Sequence, residues 1–359
     1  MPATQSEIIF HHLITSAFEQ KAVELFLFPG QLPFIRKDGE IKILTDESII
    51  TTTFVNEILN FLLDTNQKEE FEKQKQIIFS KELEKGVRAK FNILRQKNLT
   101  SILIKLIPDR PISLESLKLP KVVTDLASFD QGLIIISGPK DSGRTTLLSA
   151  MVDYINRNFT KYIATLEHPI EYLFISGKSL VEQREIGRDV LNFDDGLKSV
   201  RNRPVDVLVV SEVEDLKLIF ELLQIAQKGV LVFVILDISS VFNVIKQIIE
   251  SFEQERQNLI RLLLGENLAG IICTRLVPRL GGGRVLALEI LNGSPAAKTI
   301  IKEGKIYQIN NLLQIAEKEL SVSLDRFLAD LVRSGEISFE KAIKYCIDEN
   351  MLRSLLGRV

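Results

Sequence analysis

Residues Leu133–Ala150 have the sequence LIIISGPKDSGRTTLLSA, and this stretch decides the fold class of the chain. Four apolar residues, Leu133–Ile136, predict a short buried strand. A loop of small residues follows, and beyond it the apolar residues recur at helical spacing. A strand, a glycine loop and a helix in this order are typical of a phosphate-binding loop, whose backbone N–H groups and helix N-terminus attract an anion.

The loop matches the pattern G-x-x-x-x-G-K-[ST] at every specified position but one. Gly138, Gly143 and Thr145 are in register, and Arg144 occupies the lysine position. Arginine keeps the positive charge, but its planar guanidinium is bulkier than the compact ammonium of lysine, and the two are not interchangeable. An ordinary turn between a strand and a helix is the alternative interpretation of this loop.

Composition narrows the class of protein. The chain has 359 residues, of which 45% are apolar and 26% charged, with a net charge of -2. This size predicts two or three domains, and the balanced charge argues against bulk attraction to nucleic acid or anionic lipid. The two cysteines, Cys273 and Cys346, favour a reducing compartment. With no signal peptide and no apolar run of membrane length, we expect a soluble cytosolic protein.

The chain before the loop predicts a small α+β domain with a mostly antiparallel sheet. Asp38-Gly39 lies between two apolar runs and indicates a β-hairpin, and Thr52–Leu63 has helical spacing. Ser6 is a candidate N-cap for the first helix. Pro108, Pro111 and Pro120 then mark a linker at residues 108–120.

From Asp130 onward, short apolar strands alternate with helical segments. Such alternation predicts a parallel or mixed sheet covered by helices on both faces. Gly281-Gly282-Gly283 separates two apolar runs and indicates an exposed hairpin, and Ser294-Pro295 is an N-cap followed by proline at the first helical position. Helical segments follow to the end of the chain.

Three carboxylates are candidates for phosphate chemistry because nucleotide hydrolysis needs a Mg²⁺ ligand and a group that positions water. Glu212 follows the apolar strand Val207–Val210, at the sheet edge where ligands collect in open α/β folds. Glu167 and Glu171 follow another strand and are candidate contacts to Mg²⁺ or water. Thr145 can offer its hydroxyl to Mg²⁺. The alternative for each carboxylate is a solvated position at a strand end or in a charged loop.

Arg88 and Lys90 occupy alternate positions of a predicted strand and therefore share one face. Cations of this kind could stabilise phosphate charge across a subunit boundary. The alternative is an ordinary solvated surface role, which also holds for four arginines elsewhere in the chain: Arg184, Arg188, Arg201 and Arg203.

Nearly the whole chain resembles the PilT-like type IV pilus retraction ATPases, a branch of the secretion ATPase superfamily. The resemblance is ordered along the chain and lies in these segments: AVELFLF (22–28), LPFIRKDGEI (32–41), VRAKFN (87–92), TLEHPIEY (165–172), LVEQREIGRD (180–189), VLVVSEVED (207–215), RLGGGRVLALEIL (279–291) and SPAAKTIIKEGK (294–305). The family counterparts of TLEHPIEY and VLVVSEVED are the acidic box TIEDPIE and the Walker B segment ILVGEMRD.

The resemblance implies a PAS-like α+β N-terminal domain (1–107), the linker (108–120), a RecA-like P-loop ATPase domain (121–308) and a C-terminal helical segment (309–359). It also implies a hexameric ring that binds ATP and Mg²⁺ between the two domains of each subunit. The resemblance further implies that the ring lies on the cytoplasmic side of the inner membrane and contacts a platform protein there. Such a ring pulls pilin subunits from the base of the fibre.

The same resemblance assigns site residues. It implies catalytic roles for Glu212, Glu167, Glu171, Arg88 and Lys90, and a Mg²⁺ contact for Thr145. The nucleotide-binding residues that it implies are Gly138, Pro139, Lys140, Asp141, Ser142, Gly143, Arg144, Thr145 and Thr146.

The residues that differ from the family pattern lie mostly in the segments to which the family assigns nucleotide binding and catalysis. Arg144 replaces the loop lysine, and His168 replaces the aspartate of the acidic box. The family's two-histidine segment GHLVFGTLHT is here GVLVFVILDI, in which Val230 and Asp237 replace the histidines. Ser211 and Glu214 replace a glycine and an arginine in the Walker B segment.

These departures leave two classes of function open. The first is a working motor ATPase with an altered site, which Glu212, Thr145 and the retained charge of Arg144 favour. The second is a hydrolysis-deficient regulatory or structural subunit that assembles with an intact paralogue, which the lost histidines and the lost aspartate favour. A RecA-like DNA motor is a weaker third alternative, because the sequence lacks a basic, aromatic-rich stripe.

Overall fold

The computed structural model describes residues 4–83, 87–315 and 321–357. The chain forms two compact units. The first comprises Met1–Arg110 together with Pro169–Leu173, and the second comprises Pro111–His168 together with Phe174–Val359. A five-residue segment from the middle of the chain therefore packs with the N-terminal unit, an arrangement that the sequence pattern does not predict.

The first unit is a six-stranded antiparallel sheet with helices on one face. The strands have the order β3-β2-β1-β6-β5-β4. Their bounds are β1 (Glu24–Leu27), β2 (Phe34–Lys37), β3 (Glu40–Ile43), β4 (Gln76–Glu82), β5 (Arg88–Gln96) and β6 (Leu99–Ile107). The helices are α1 (Gln5–Glu19), α2 (Thr52–Leu62) and α3 (Thr65–Gln74).

Local signals explain most of these elements. Asp38 and Gly39 have φ of 54° and 88°, the left-handed pair that a tight hairpin turn requires, and they join β2 to β3 as predicted. Helix α1 begins after Thr4, which forms a capping box with Glu7, so the prediction of Ser6 as its N-cap was wrong. Helix α3 was not predicted, because Phe71 is its single buried residue and the helix is otherwise polar.

The second unit is built on a seven-stranded sheet with the order β13-β12-β7-β11-β10-β8-β9. All pairs in it are parallel except β12–β13. The strands are β7 (Gly132–Ser137), β8 (Tyr162–Glu167), β9 (Leu180–Glu185), β10 (Val207–Val210), β11 (Leu231–Leu236), β12 (Leu268–Pro278) and β13 (Arg284–Asn292).

Helices cover both faces of this sheet, as predicted for strands that are apolar throughout. Leu147, Met151 and Ile155 of the helix after β7 belong to the buried cluster on one face, and Leu222 and Val244 belong to the cluster on the other. The helices are α4 (Lys121–Ala127), α5 (Arg144–Asn158), α6 (Phe193–Arg201), α7 (Leu218–Ala226), α8 (Val241–Glu250), α9 (Gln254–Asn267) and α10 (Pro295–Lys302).

The C-terminal part of the chain is helical, and its helices after residue 323 pack with the β12–β13 hairpin. The helices are α11 (Gln308–Ile315), α12 (Leu324–Arg333), α13 (Phe339–Tyr345) and α14 (Glu349–Leu355). Leu328, Ala342 and Leu352 of these helices share a core with Val277 and Ala287 of the hairpin. Across the described ranges, none of the helices has the length and apolar character needed to cross a membrane.

The predicted fold class is confirmed: an antiparallel α+β unit precedes a parallel-sheet unit with a loop of phosphate-binding type and C-terminal helices. The glycines 281–283 lie between the antiparallel strands β12 and β13, as the sequence indicated for a hairpin. Ser294 caps α10 with Pro295 in the first turn, as the sequence indicated.

Candidate functional site

The loop after β7 lies at the carboxyl end of a central strand and is fastened to β12. Gly138 has a φ of 147°, and a Cβ there would lie 2.6 Å from Ser142 Oγ and 2.7 Å from the Thr274 carbonyl oxygen. The hydroxyls of Ser142 and Thr274 are 2.7 Å apart and buried. A side chain at position 138 would therefore displace the contact that closes the loop.

The outer part of the loop is open and ends at an uncapped helix. Pro139, Lys140 and Asp141 are exposed. Gly143 has a φ of 94° and is the N-cap of α5, and no side chain of the described residues caps the helix there. The first turn of a helix has backbone N–H groups that lack intrahelical partners, so this terminus is suited to an anion. The hydroxyl-bearing residues Thr145 and Thr146 in this turn are half-buried.

The Arg144 side chain is directed to the carboxyl ends of the two neighbouring strands β10 and β11. It is 6% exposed. Its Nη1 donates to the Leu236 carbonyl oxygen at 2.8 Å, and its Nη2 donates to Glu212 Oε1 at 3.3 Å. The distance from Nη1 to Asp237 Oδ1 is 3.7 Å. Arg144, which stands where the loop pattern has lysine, is thus bonded to the end of β11 and paired with two carboxylates.

Glu212 occupies a strained position two residues beyond β10. Its φ is 33°, in the left-handed region that residues with a side chain rarely adopt. Its side chain is 49% exposed, so one side of the carboxylate contacts Arg144 and the remainder faces solvent. Backbone conformations of this kind in non-glycine residues occur in turns and also at functional sites.

Glu167 ends β8 and is bonded within its own sheet. Its Oε1 accepts hydrogen bonds from Thr165 Oγ1 at 2.6 Å and Gln183 Nε2 at 3.0 Å, and the residue is buried. The next residue, His168, is exposed, with its backbone N–H bonded to Ser211 Oγ at 3.1 Å and its Nδ1 3.2 Å from the Ile186 carbonyl oxygen. These bonds fix the ends of β8, β9 and β10 relative to one another.

Arg88, Lys90 and Glu171 meet in the first unit, on the sheet face away from α1 and α2. Lys90 Nζ lies 3.1 Å from Glu171 Oε1, and Lys105 Nζ lies 2.8 Å from Glu171 Oε2. Arg88 donates to the Ile170 carbonyl oxygen at 2.9 Å. Burial alone would raise the pKa of Glu171, but the charges of Lys105 and Lys90 outweigh it and hold that pKa below its usual value.

The predicted site residues thus form three groups. Glu212 and Arg144 lie together at the β7–α5 loop, Glu167 is bonded to β8 and β9, and Glu171 lies with Arg88 and Lys90 in the first unit. Sequence reasoning missed Lys105 as a partner of Glu171, because the register that places Lys105 opposite Lys90 cannot be counted from the sequence. In the sequence, Asp237 is visible only as a departure from the family pattern, and its pairing with Arg144 appears only in the structure.

Glu289 on β13 is a second residue that the sequence does not reveal. It is 3% exposed, and its Oε2 accepts a hydrogen bond from the first N–H of α8, at Val241, at 2.8 Å. Burial raises the pKa of Glu289 to about 7, against the opposing effects of the Val241 N–H and the Arg275 charge, and the Asp325 charge adds to the increase. The thiol of Cys273 lies in the same buried region, and its pKa is also raised by burial.

We expect Glu289→Gln to stabilise the protein at pH 8 and to have little effect at pH 4.5. A carboxyl whose pKa is higher in the folded state stabilises that state below its unfolded pKa, and this contribution is lost as the pH rises to about 7. The increase of the Glu289 pKa from its usual value to about 7 corresponds to roughly 3 kcal/mol of stability. Glutamine does not ionise, so Glu289→Gln does not lose this contribution at high pH. Urea denaturation of both proteins from pH 4.5 to 8 measures the difference. Parallel stability curves for the two proteins would contradict the assignment.

Comparisons with known proteins agree with this architecture. Residues 76–318, more than half of the chain, match the family described as type II/IV secretion system protein. The type IV pilus retraction ATPase PilT of Pseudomonas aeruginosa is 32% identical over 330 residues, which cover 92% of this chain and 96% of that protein. The type IV pilus ATPase PilU of the same organism is 27% identical over 348 residues, covering 97% and 91%.

Solved structures show the same similarity in three dimensions. The crystal structure of the pilus retraction motor PilT with bound ADP has a TM-score of 0.84 to this chain at 32% identity, covering 98% of this chain and 99% of that one. The ATPase DotB of Legionella pneumophila shares the fold, with a TM-score of 0.81 at 21% identity. The chain belongs to the type II/IV secretion system protein family and is similar to its PilT-like pilus ATPases.

Proposed function

We propose that this chain is a PilT-like motor subunit that binds ATP with Mg²⁺ at the β7–α5 loop and couples weak hydrolysis to pilus retraction. The observation that carries the proposal is the pairing of Arg144 with Glu212 beside an open, uncapped helix terminus. The helix terminus supports phosphate binding, whereas the pairing engages two groups on which hydrolysis would depend.

The residues of the loop fit a polyphosphate. Gly138 and Gly143 have left-handed φ values, which let the backbone curve closely around an anion, and Lys140 adds an exposed cation. Pro139, Asp141 and Ser142 complete the curve, and Thr146 adds a hydroxyl in the first turn of α5. A relative of known structure, the motor PilT, has been crystallised with bound ADP, which supports a nucleotide as the ligand.

Mg²⁺ also fits the oxygen donors near the loop. Protein sites hold Mg²⁺ through one or two side-chain oxygens and the phosphates of the substrate, so a cluster of protein ligands is not needed. We assign the Thr145 hydroxyl as the Mg²⁺ contact and Glu212 as the carboxylate that orients water. Glu167 supports the same edge of the sheet. The described residues hold no group of three or more His, Cys, Asp or Glu side chains suited to a metal.

The proposed catalytic roles of Arg88, Lys90 and Glu171 require a change of partners. Arg88 and Lys90 hold the Pro169–Leu173 segment, which includes Glu171, on the sheet of the first unit. Arg88 and Lys90 would have to leave these contacts to stabilise phosphate charge in a neighbouring subunit. We therefore propose that they anchor this segment when they do not contact nucleotide.

For the assembly we propose a hexameric ring, made either of this chain alone or together with an intact paralogue. The proposed partner is an inner-membrane pilus platform protein, met on the cytoplasmic side. The similarity to PilT and PilU over nearly the full length of each supports this assignment. No nucleic-acid partner is proposed.

A second function, a hydrolysis-deficient regulatory or structural ring subunit, is favoured by one specific observation. Arg144 donates to Leu236 and Glu212 at the same time, and both of these groups belong to the strand ends where catalysis would occur. A subunit of this kind would bind nucleotide and complete the ring, but it would not hydrolyse the nucleotide. The rate of hydrolysis distinguishes the two functions.

Arg144→Lys is expected to tighten nucleotide binding several-fold. Lysine has a compact ammonium that can reach between phosphates, and it cannot keep the two-armed contact that Arg144 makes with Leu236 and Glu212. Titration of a fluorescent ATP analogue with Mg²⁺ gives the dissociation constants. Arg157→Lys, at an exposed position in the last turn of α5, is the matched control and should leave the affinity unchanged. Equal affinities for Arg144→Lys and the unchanged protein would contradict the account of the loop.

A further inference from the structure

Asp237 lies in the connection between β11 and α8, directly after the last residue of the strand. This connection is held in place from two sides. Ser137 Oγ donates to the Ile238 carbonyl oxygen at 2.6 Å, and Glu289 accepts from the Val241 N–H at 2.8 Å. The backbone on either side of Asp237 is therefore held by bonds to β7 and β13 in addition to the bond from Arg144 to the Leu236 carbonyl oxygen.

The charges around Arg144 are unevenly distributed. The guanidinium is nearly fully buried, whereas the side chains of Asp237 and Glu212 are 52% and 49% exposed. The buried cation thus faces two carboxylates whose outer sides remain in water. The guanidinium is therefore already bonded when an anion arrives at the N-terminus of α5.

We infer that Asp237, together with Glu212, sequesters the Arg144 guanidinium and thereby lowers the affinity of the loop for nucleoside polyphosphates. This inference rests on the proposed function, since it concerns the affinity of the same loop. Asp237 is a positioning residue: it acts through Arg144 and need not touch the nucleotide. A polyphosphate gains the charge of Arg144 only after it has replaced the contacts to Asp237, Glu212 and the Leu236 carbonyl oxygen.

Asp237→Asn tests the inference because asparagine keeps the shape of the side chain and removes its charge. We expect the affinity for a fluorescent ATP analogue with Mg²⁺ to rise about 1.5- to fivefold, the range for a half-exposed ion pair. Asp237→Glu retains the carboxylate and should keep the original affinity. Glu214→Gln, at an exposed carboxylate in the loop after β10, is the matched control and should also leave the affinity unchanged.

A double-mutant cycle separates sequestration from simple repulsion between Asp237 and phosphate. Arg144→Gln removes the guanidinium that Asp237 is proposed to hold, so it provides the background in which sequestration cannot act. In that background, Asp237→Asn should no longer raise the affinity. A similar increase in both backgrounds would show direct repulsion and overturn the inference.

The remaining outcomes are also decisive. No change in affinity on Asp237→Asn overturns the inference, and so does a loss of detectable binding on Arg144→Gln, because the guanidinium would then already contribute in the presence of Asp237. Failure of the unchanged protein and of every variant to bind nucleotide would instead refute the proposed function. Thermal unfolding of each variant confirms that an affinity change does not come from a loss of fold.

Discussion

Purified protein at saturating Mg-ATP is expected to release phosphate at about 0.1 per second or more slowly. Enzymes typically turn over about ten times per second, and the loss of one transition-state donor lowers the rate on the order of 100- to 1,000-fold. Here the arginine at the lysine position is paired with Glu212, the residue assigned to orient water. Arg144 and Glu212 therefore engage each other. Because the effects of residues that act together on the rate are not additive, we expect one reduction of this size in the rate and not the product of two.

A coupled phosphate-release assay measures this rate directly. Glu212→Gln serves as the baseline, because it removes the proposed water-orienting carboxylate and leaves the loop intact. A residual rate that falls further on Glu212→Gln would support a weak motor, and an unchanged rate would support the regulatory subunit. Turnover of about one per second or faster would rule out an impaired site.

Glu171→Ala is expected to lower the free energy of unfolding of the first unit by about 2–3 kcal/mol. Lys90 and Lys105 are directly opposite each other on β5 and β6, and like charges in opposed positions destabilise a sheet. Glu171 contacts both ammonium groups, and its side chain is 9% exposed. Removing one partner of a buried ion pair costs about 3–5 kcal/mol, and the partial exposure of both lysines reduces this figure.

Urea denaturation of the full chain measures the loss, and hydrogen exchange of residues 168–174 locates it. The matched control is Glu72→Ala. Glu72 also pairs with two cations, Arg95 and Lys75, but its side chain is 59% exposed, so no measurable change is expected. A loss for Glu171→Ala that is no larger than the loss for Glu72→Ala would contradict the proposed anchoring role.

The elements that the sequence predicted well are those whose signals are local. The glycine loop after β7, the Asp38-Gly39 turn and the Ser294 cap each depend on a few adjacent residues with special backbone requirements. The alternation of apolar strands and helices likewise predicted a sheet covered on both faces. Helix α3 was not predicted because a mostly polar helix has no apolar periodicity.

The arrangement of the candidate site could be predicted only in part. The identity of Arg144 was visible in the sequence, but its direction was not, because its partners lie on β10 and β11, which are neighbours only in the folded sheet. Glu171 was recognised as a carboxylate in an acidic box. Its burial between Lys90 and Lys105 depends on a strand register and on the Pro169–Leu173 segment packing with a distant part of the chain.

The packing of Pro169–Leu173 also limits how the protein can be divided for experiments. A fragment that ends at Arg110 keeps Arg88, Lys90 and Lys105 but loses the segment that supplies Glu171 and the Ile170 carbonyl oxygen. The fragment would therefore lack the carboxylate that Lys90 and Lys105 contact and the carbonyl oxygen to which Arg88 donates. A stability measured on that fragment would describe a sheet without these contacts and not the sheet of the intact protein.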